Sequence, residues 1–235
     1  MSGEPARRFA PARLLGARPA AEEQVLLEVE PPDGFLEAHA RPGQFCRIRA
    51  GGAEGFFAML SGPGAPPRFL VRVGNPDGGE AADALAALPP GSPIEMTLPE
   101  GRGFDLDRAR GKDVCFVATG TGVAPVCAAI EHVLADRAAY GALRLDLGLK
   151  SAGHLALGPA LERWRASGVT IEIAYSTLDA GGALAGASVQ DNLRSSGVDL
   201  ARAAVVAVGQ GAMLGALREV IRAAGGDPAG LITNV

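Results

Sequence analysis

Hydrophobic positions along this chain follow two different periods. Up to about residue 110 they come in short alternating runs between glycine and proline turns. Gln24 to Glu30 (QVLLEVE) alternates and is followed by the turn PPDG. The segments RPGQFCRIRA, GFFAMLSGPG, RFLVRVG and SPIEMTLPEG each read as a strand beside a turn. Six or so strands at regular spacing predict a small closed antiparallel barrel. One stretch departs from the pattern: GGEAADALAALPPG starts after two glycines and stops at two prolines, which predicts a short helix from about Glu80 to Leu88. The first twenty residues carry arginines but no continuous apolar run. They read as a loose arm leading into a strand, not as a signal peptide.

From Lys112 onward, apolar runs alternate with helix-length stretches. DVCFVAT, LRLDLGLK, VTIEIAYS, AAVVAVG and LITNV are predicted strands. VCAAIEHVLADR, LALGPALERWRASG, SVQDNLRSS and AMLGALREVIRAAGG are predicted to carry the helices between them. This alternation implies a five-stranded parallel sheet with helices on both faces. The expected fold class is therefore β followed by α/β: a six-stranded antiparallel barrel with one short helix over residues 1–110, then a five-stranded parallel nucleotide-binding domain over 111–235. Ligands of such sheets sit at the carboxyl ends of the strands. That rule gathers Thr119 to Pro125, Gly148 to Ser151, Ser176 and Val208 to Met213 around one crevice. GGALAGA (181–187) reads as a small-residue loop.

The segment Asp113 to Pro125 carries the clearest chemistry. An apolar strand runs into a glycine turn at Gly120 and Gly122, where the missing Cβ lets a flat or anionic group approach the backbone. Pro125 falls in the first helical turn, where its missing amide hydrogen costs nothing. The composition is 48% hydrophobic and 20% charged with a formal net charge of -4. A sizeable core is expected, and the absence of a basic cluster argues against nucleic acid as a partner. No apolar run approaches membrane-spanning length. Cys46, Cys115 and Cys127 form no CxxC pair, so no disulfide framework, zinc site or iron–sulfur site is expected, and a reducing cytoplasm suits them. His39, His132 and His154 have no evident catalytic partner, and no paired carboxylates or metal-ligand spacing stand out.

These segments, in this order, resemble the ferredoxin–NADP reductase superfamily from about residue 20 to the end. Pro42 to Phe45 (PGQF) is similar to the family's P-G-Q-F/Y strand entry, and Leu88 to Phe104 to its L-x-x-G-D/S-x-I/V-x-I/V-x-x-P-x-G-x-G/F-F segment. Gly120 to Pro125 (GTGVAP) matches its nicotinamide-side turn intact. SVQDNL matches Y-V-Q-D-x-L with Ser188 for the aromatic. VGQGAM matches C-G-P-x-x-M with Val208 for the cysteine and Gln210 for the proline. The pattern is nearest to the short ferredoxin–NADP reductase-like group that includes the plant "fruit protein" homologues.

The resemblance implies an NAD(P)H-dependent flavoprotein oxidoreductase that passes hydride from nicotinamide to flavin and electrons on to a protein or small-molecule acceptor. The alternatives are an electron-transfer subunit of a larger redox complex, or a fold that has lost flavin and serves as a nucleotide-binding scaffold. FAD is the implied flavin, with FMN open, and NAD is favoured over NADP because Thr177, Leu178 and Asp179 follow Ser176 without a nearby cation. The implied nicotinamide-side residues are Thr119, Gly120, Thr121, Gly122, Pro125, Lys150, Ser176, Gly209, Gln210 and Met213. On the flavin side they are Phe56, Phe57, Ala58, Met59, Arg72, Gly79, Glu80, Ala81 and Ala82. The family's flavin motif, R-x-Y-S/T, aligns with Gly55, Phe56, Phe57 and Ala58. The arginine is absent, Phe57 is expected to keep a stacking face without a hydroxyl, and Ala58 replaces the hydroxyl residue. The helix start after Gly79 is the expected substitute for the arginine.

Overall fold

The computed structural model describes residues 8–75, 79–176 and 188–234. Gly78, Thr177 to Asp179, the 181–187 loop and Val235 lie outside the described residues. The first lobe contains β1 (Ala10–Ala21), β2 (Gln24–Glu30), β3 (Phe45–Ala50), β4 (Ala53–Ala58), β5 (Arg68–Arg72) and β6 (Pro93–Met96), in the antiparallel order β4-β3-β6-β1-β2-β5. Side chains alternate across this wall as the pleat requires. Cys46 and Ile48 of β3 and Ile94 and Met96 of β6 point into the core, while Arg47 and Arg49 point out. The two sheet edges meet where the Leu60 amide donates to the Arg68 carbonyl at 2.8 Å. A helix of one turn, α1 (Phe35–Ala38), buries Phe35 beneath the wall, and α2 (Glu80–Ala87) packs Ala81, Ala82 and Leu85 against it.

The expected loose arm is itself a strand from Ala10. β1 runs for 12 residues between β2 and β6 and buries Leu14 completely. Its strand character was hidden by Pro11 and Pro19. Pro11 pairs with Glu95, and Pro19 sits beside a register shift, where a missing amide hydrogen is tolerated.

The second lobe alternates β7 (Val114–Thr119), α3 (Val123–Ala135), β8 (Leu143–Leu149), α4 (Gly158–Ala166), β9 (Val169–Tyr175), α5 (Val189–Ser195), β10 (Ala204–Val208) and α6 (Gly211–Ala223). The parallel order is β10-β7-β8-β9, so the sheet has four strands, not the five expected. The LITNV segment contributes one bridge, Ile232 to Val206, held by hydrogen bonds of 2.9 Å to Val205 and Ala207. It then leaves the sheet because Asn234 donates its side-chain amide to the Gly43 carbonyl of the first lobe at 3.0 Å. β7 is buried on both faces, with α3 and α4 contributing to the core on one side and α5 and α6 on the other. No helix among the described residues is long and apolar enough to cross a membrane.

A charged pair lies inside the second lobe. Asp146 of β8 is fully buried and accepts two hydrogen bonds of 2.8 Å from Arg144 on the same face of the strand. Burial pushes the Asp146 carboxyl up from the ordinary carboxylate range, against the pull of Arg144. Removing one partner of such a pair strands the other charge in the interior. Arg144→Ala is therefore expected to lower the unfolding free energy by about 3 kcal/mol or more, read from the urea midpoint at constant m-value.

Candidate functional site

A cavity of about 1270 Å³ opens between the lobes. Its second-lobe wall is made of strand ends. β7 finishes at Thr119, and the chain makes one tight turn through Gly120–Gly122 before α3 begins. Gly120 adopts φ +54, a conformation costly for any residue with a Cβ. At Gly122 a Cβ would stand 3.1 Å from the Val208 carbonyl oxygen, so glycine is what lets the start of α3 settle against the end of β10. Gly209 follows β10; a Cβ there would run into Met213 and come within 2.9 Å of the Thr119 hydroxyl. Ser176 continues past β9, with its amide donating to the Leu149 carbonyl at 2.8 Å. Ser188 caps α5 reciprocally with Asp191, which directs Ser188, Val189 and Gln190 into the wall.

The first-lobe wall is formed by β4, the end of β5 and the start of α2. Gly79 takes φ +117 and leaves the α2 N-terminus without a side-chain cap, so its first amides have no intrahelical acceptor. Negative charge nearby is partly committed elsewhere: the Asp83 carboxylate accepts the Gly74 amide at 2.8 Å. Glu54 is tied to Arg47 and Arg49 at 3.0 Å each, and the Arg47 hydrogen bond foremost holds its carboxyl below the usual range.

All ten residues expected on the nicotinamide side line this one cavity, as do Phe56, Phe57, Ala58, Arg72, Gly79, Glu80, Ala81 and Ala82. Met59 does not. It is fully buried in the barrel core, because the pleat turns it inward where β4 ends. Phe57 also departs from expectation. It is 8% exposed, meets Phe69 edge-on at 6.2 Å and lies over Gly55, whose added Cβ would stand 2.7 Å from its ring. With no side chain at Gly55, the Phe57 ring folds back into the barrel wall. The open ring of β4 is Phe56, 62% exposed, with the Arg47 guanidinium 4.1 Å from its centroid and Phe45 beside it at 5.8 Å. Arg72 and Lys150 both pair with Glu23, at 3.1 and 3.2 Å.

Several lining residues escaped the sequence reading. Tyr175, one residue before Ser176, could have been found as the last residue of the third parallel strand. Gln190 lies inside the SVQDNL motif without having been assigned a role, and Glu54 carried no comparable signal. The thiols of Cys115 and Cys127 are buried, which pushes each up to about 12 and keeps them protonated. Among the described residues no cluster of His, Cys, Asp and Glu could hold a metal ion.

Residues 116–219 match the family model of the oxidoreductase NAD-binding domain. The chain is 31% identical over 118 residues to ferredoxin–NADP reductase B of Sorangium cellulosum, a match covering 49% of this chain and 48% of that protein. It is 26% identical over 121 residues to sulfhydrogenase 1 subunit gamma of Pyrococcus furiosus, covering 51% and 41%. The matches thus span about half the length of the curated relatives or less. Among solved structures, a ferredoxin–NADP reductase from Neisseria gonorrhoeae with bound FAD and NADP superposes with a TM-score of 0.77 at 16% identity, covering 92% of each chain.

The two neighbouring rings of β4 should respond differently to truncation. Phe57→Ala is expected to cost about 3 kcal/mol or more of unfolding free energy, as for a buried aromatic. Phe56→Ala should cost about 1 kcal/mol or less, since it removes an exposed ring and its arginine contact. Chemical denaturation of both variants checks the assignment, and the reverse order would refute it.

Proposed function

We infer, for a chain that belongs with the ferredoxin–NADP reductase-like oxidoreductases, that the interlobe cleft binds FAD against the barrel and a reduced nicotinamide dinucleotide against the strand ends, and that electrons leave to an acceptor reaching the cleft mouth. The observation that carries this reading is the meeting of two backbone-lined surfaces in one cavity: the Gly120–Gly122 and Gly209 turns on one side and the uncapped α2 start on the other.

The barrel side fits a flavin by shape and by backbone donors. The first amides of α2 and the positive end of its helix dipole suit a pyrophosphate. An arginine at position 55 would require the Phe57 ring to move, because its Cβ would be 2.7 Å from that ring and 3.1 Å from the Ala81 Cβ. Phe56 is the ring available for contact at this wall. A bound flavin supplies the chemistry of taking two electrons from reduced nicotinamide and releasing them singly or as a pair. The chain's own residues bind and orient. Gly120, with open space where a Cβ would be, lets the dinucleotide lie against backbone, Gly209 makes room for Met213 as an apolar floor, and the Thr119 hydroxyl beside it can hydrogen-bond the ligand. NADH is the favoured donor, since the segment that follows Ser176 in sequence has an aspartate and no cation.

A second reading places the chain as one electron-transfer component of a larger complex. The observation favouring it is the likeness to a protein named as a subunit, sulfhydrogenase 1 subunit gamma. Co-purification of a second redox protein with the tagged chain from its native source distinguishes this arrangement from a self-sufficient reductase.

Purified protein incubated with FAD should acquire bound-flavin absorbance that anaerobic NADH bleaches. Protein that stays colourless with FAD and FMN alike overturns the flavin assignment and leaves a nucleotide-binding scaffold. Gly120→Val should weaken NADH binding by about tenfold, roughly 1.4 kcal/mol, through crowding of the turn. Its strain at positive φ should lower stability by only about 1–2 kcal/mol. Fluorescence titration with NADH and thermal melting read the two effects separately.

A further inference from the structure

The two side-chain cations at the cleft are not independent. Arg72 ends β5 in the first lobe, Lys150 follows β8 in the second, and both line the cavity. Glu23 joins them: its Oε2 accepts from Arg72 at 3.1 Å and its Oε1 from Lys150 at 3.2 Å. The carboxylate is held at this seam by its backbone. Glu23 occupies the turn between β1 and β2 with φ +56, the one non-glycine residue with positive φ among the described residues. On either side of it the hairpin is bonded to the second lobe. The Glu22 amide donates to the Gly153 carbonyl at 2.8 Å, and the Gln24 side chain donates to the His154 carbonyl at 3.0 Å. The His154 ring lies 3.6 Å from Glu23 and 3.4 Å from Glu22, the further titratable neighbour of the turn among the described residues. The hydrogen bond and charge of Lys150, followed by Arg72, hold the Glu23 carboxyl below the usual range. One anion therefore serves two cations that sit on opposite walls.

We propose that Glu23 is a shared counter-ion through which phosphate groups bound on the two walls of the cleft sense one another. The proposal rests on the reading of the cleft as a site for two phosphate-bearing ligands. A phosphate that captures Arg72 leaves Glu23 to Lys150 alone, and that lysine becomes less available to a second phosphate. Capture of Lys150 has the converse effect on Arg72, as thermodynamic linkage requires. All three side chains are partly exposed, so the coupling is modest and weakens as salt is added. Glu23 acts here as a positioning residue and touches neither ligand.

Calorimetric titration with ADP-ribose tests this, because the probe carries the pyrophosphate without a nicotinamide ring that could stack on flavin. Glu23→Gln keeps the side-chain shape and removes the charge. At low salt it should tighten ADP-ribose binding by about threefold, the scale of an exposed ion pair. The gain should vanish in high salt and in a Lys150→Met background. In the presence of FAD, wild-type affinity for ADP-ribose should fall by about two- to threefold, while Glu23→Gln should show no such fall. An unchanged affinity in Glu23→Gln overturns the proposal, as does a gain that persists without Lys150 or an FAD effect that survives the substitution. Protein that binds ADP-ribose but takes up no FAD also overturns it, since there is then no second phosphate to sense. Protein that binds ADP-ribose in no form instead overturns the nucleotide reading of the cleft, and this proposal falls with it. Far-ultraviolet circular dichroism of each variant establishes that the turn has not unfolded.

Discussion

The apolar seam between the lobes is what every other feature of this structure depends on. Leu26, Leu60 and Leu70 of the barrel belong to the same buried cluster as Val123, Ala124, Val126 and Cys127 of α3, with Phe104 and Leu106 of the connecting segment among them. Fully burying one such leucine contributes roughly 1.5–3 kcal/mol. Several together make the two lobes one packed body. The cleft exists because this seam lies on one side of it and holds the walls at a fixed separation. The Asn234 bond to Gly43 and the hairpin ties at Glu22 and Gln24 add directional polar contacts to that non-directional attachment.

Within that frame the two walls obtain their binding character by different routes. In the second lobe, parallel strands necessarily deliver their carboxyl ends to one edge, and the helices that follow start there too. Thr119, Gly120, Gly209 and Ser176 converge for that reason, although they are far apart in sequence. In the first lobe the wall is the side of a barrel, where outward positions are as suited to charged side chains as to a ligand. Glu54, Arg47 and Arg49 satisfy one another there, and α2 starts at Gly79 with no side-chain cap from that residue. The surface this cleft presents is set by main-chain shape more than by free side-chain charge.

Cation placement shows how local and global constraints interact. Arg72 and Lys150 were expected on separate sides, flavin and nicotinamide, with no partner in view for either. Folding brings the β1–β2 turn between them and commits both to Glu23. A positive φ at a non-glycine residue persists because the surrounding contacts over-determine it, and here those contacts come from both lobes.

The sequence by itself determined most of the barrel strands, the first four parallel strands with their helices, and the glycine turn that follows β7. Buried parallel strands such as VCFVA, alternating barrel strands such as FCRIRA and the glycine spacing of GTGVAP are local signals, set by side-chain period and by the absence of a Cβ. Only the tertiary structure decided which of two adjacent phenylalanines is buried and which is exposed, that Met59 is core, that LITNV makes one bridge and then leaves the sheet, and that Glu23 pairs with both cations. Each of these turns on what a side chain meets across space. Phe57 folds inward because Gly55 leaves room and Phe69 offers a surface. The tail departs because Asn234 finds a carbonyl in the other lobe. Contacts between residues 191 positions apart, as in that last bond, leave no trace in the periodicity of either segment.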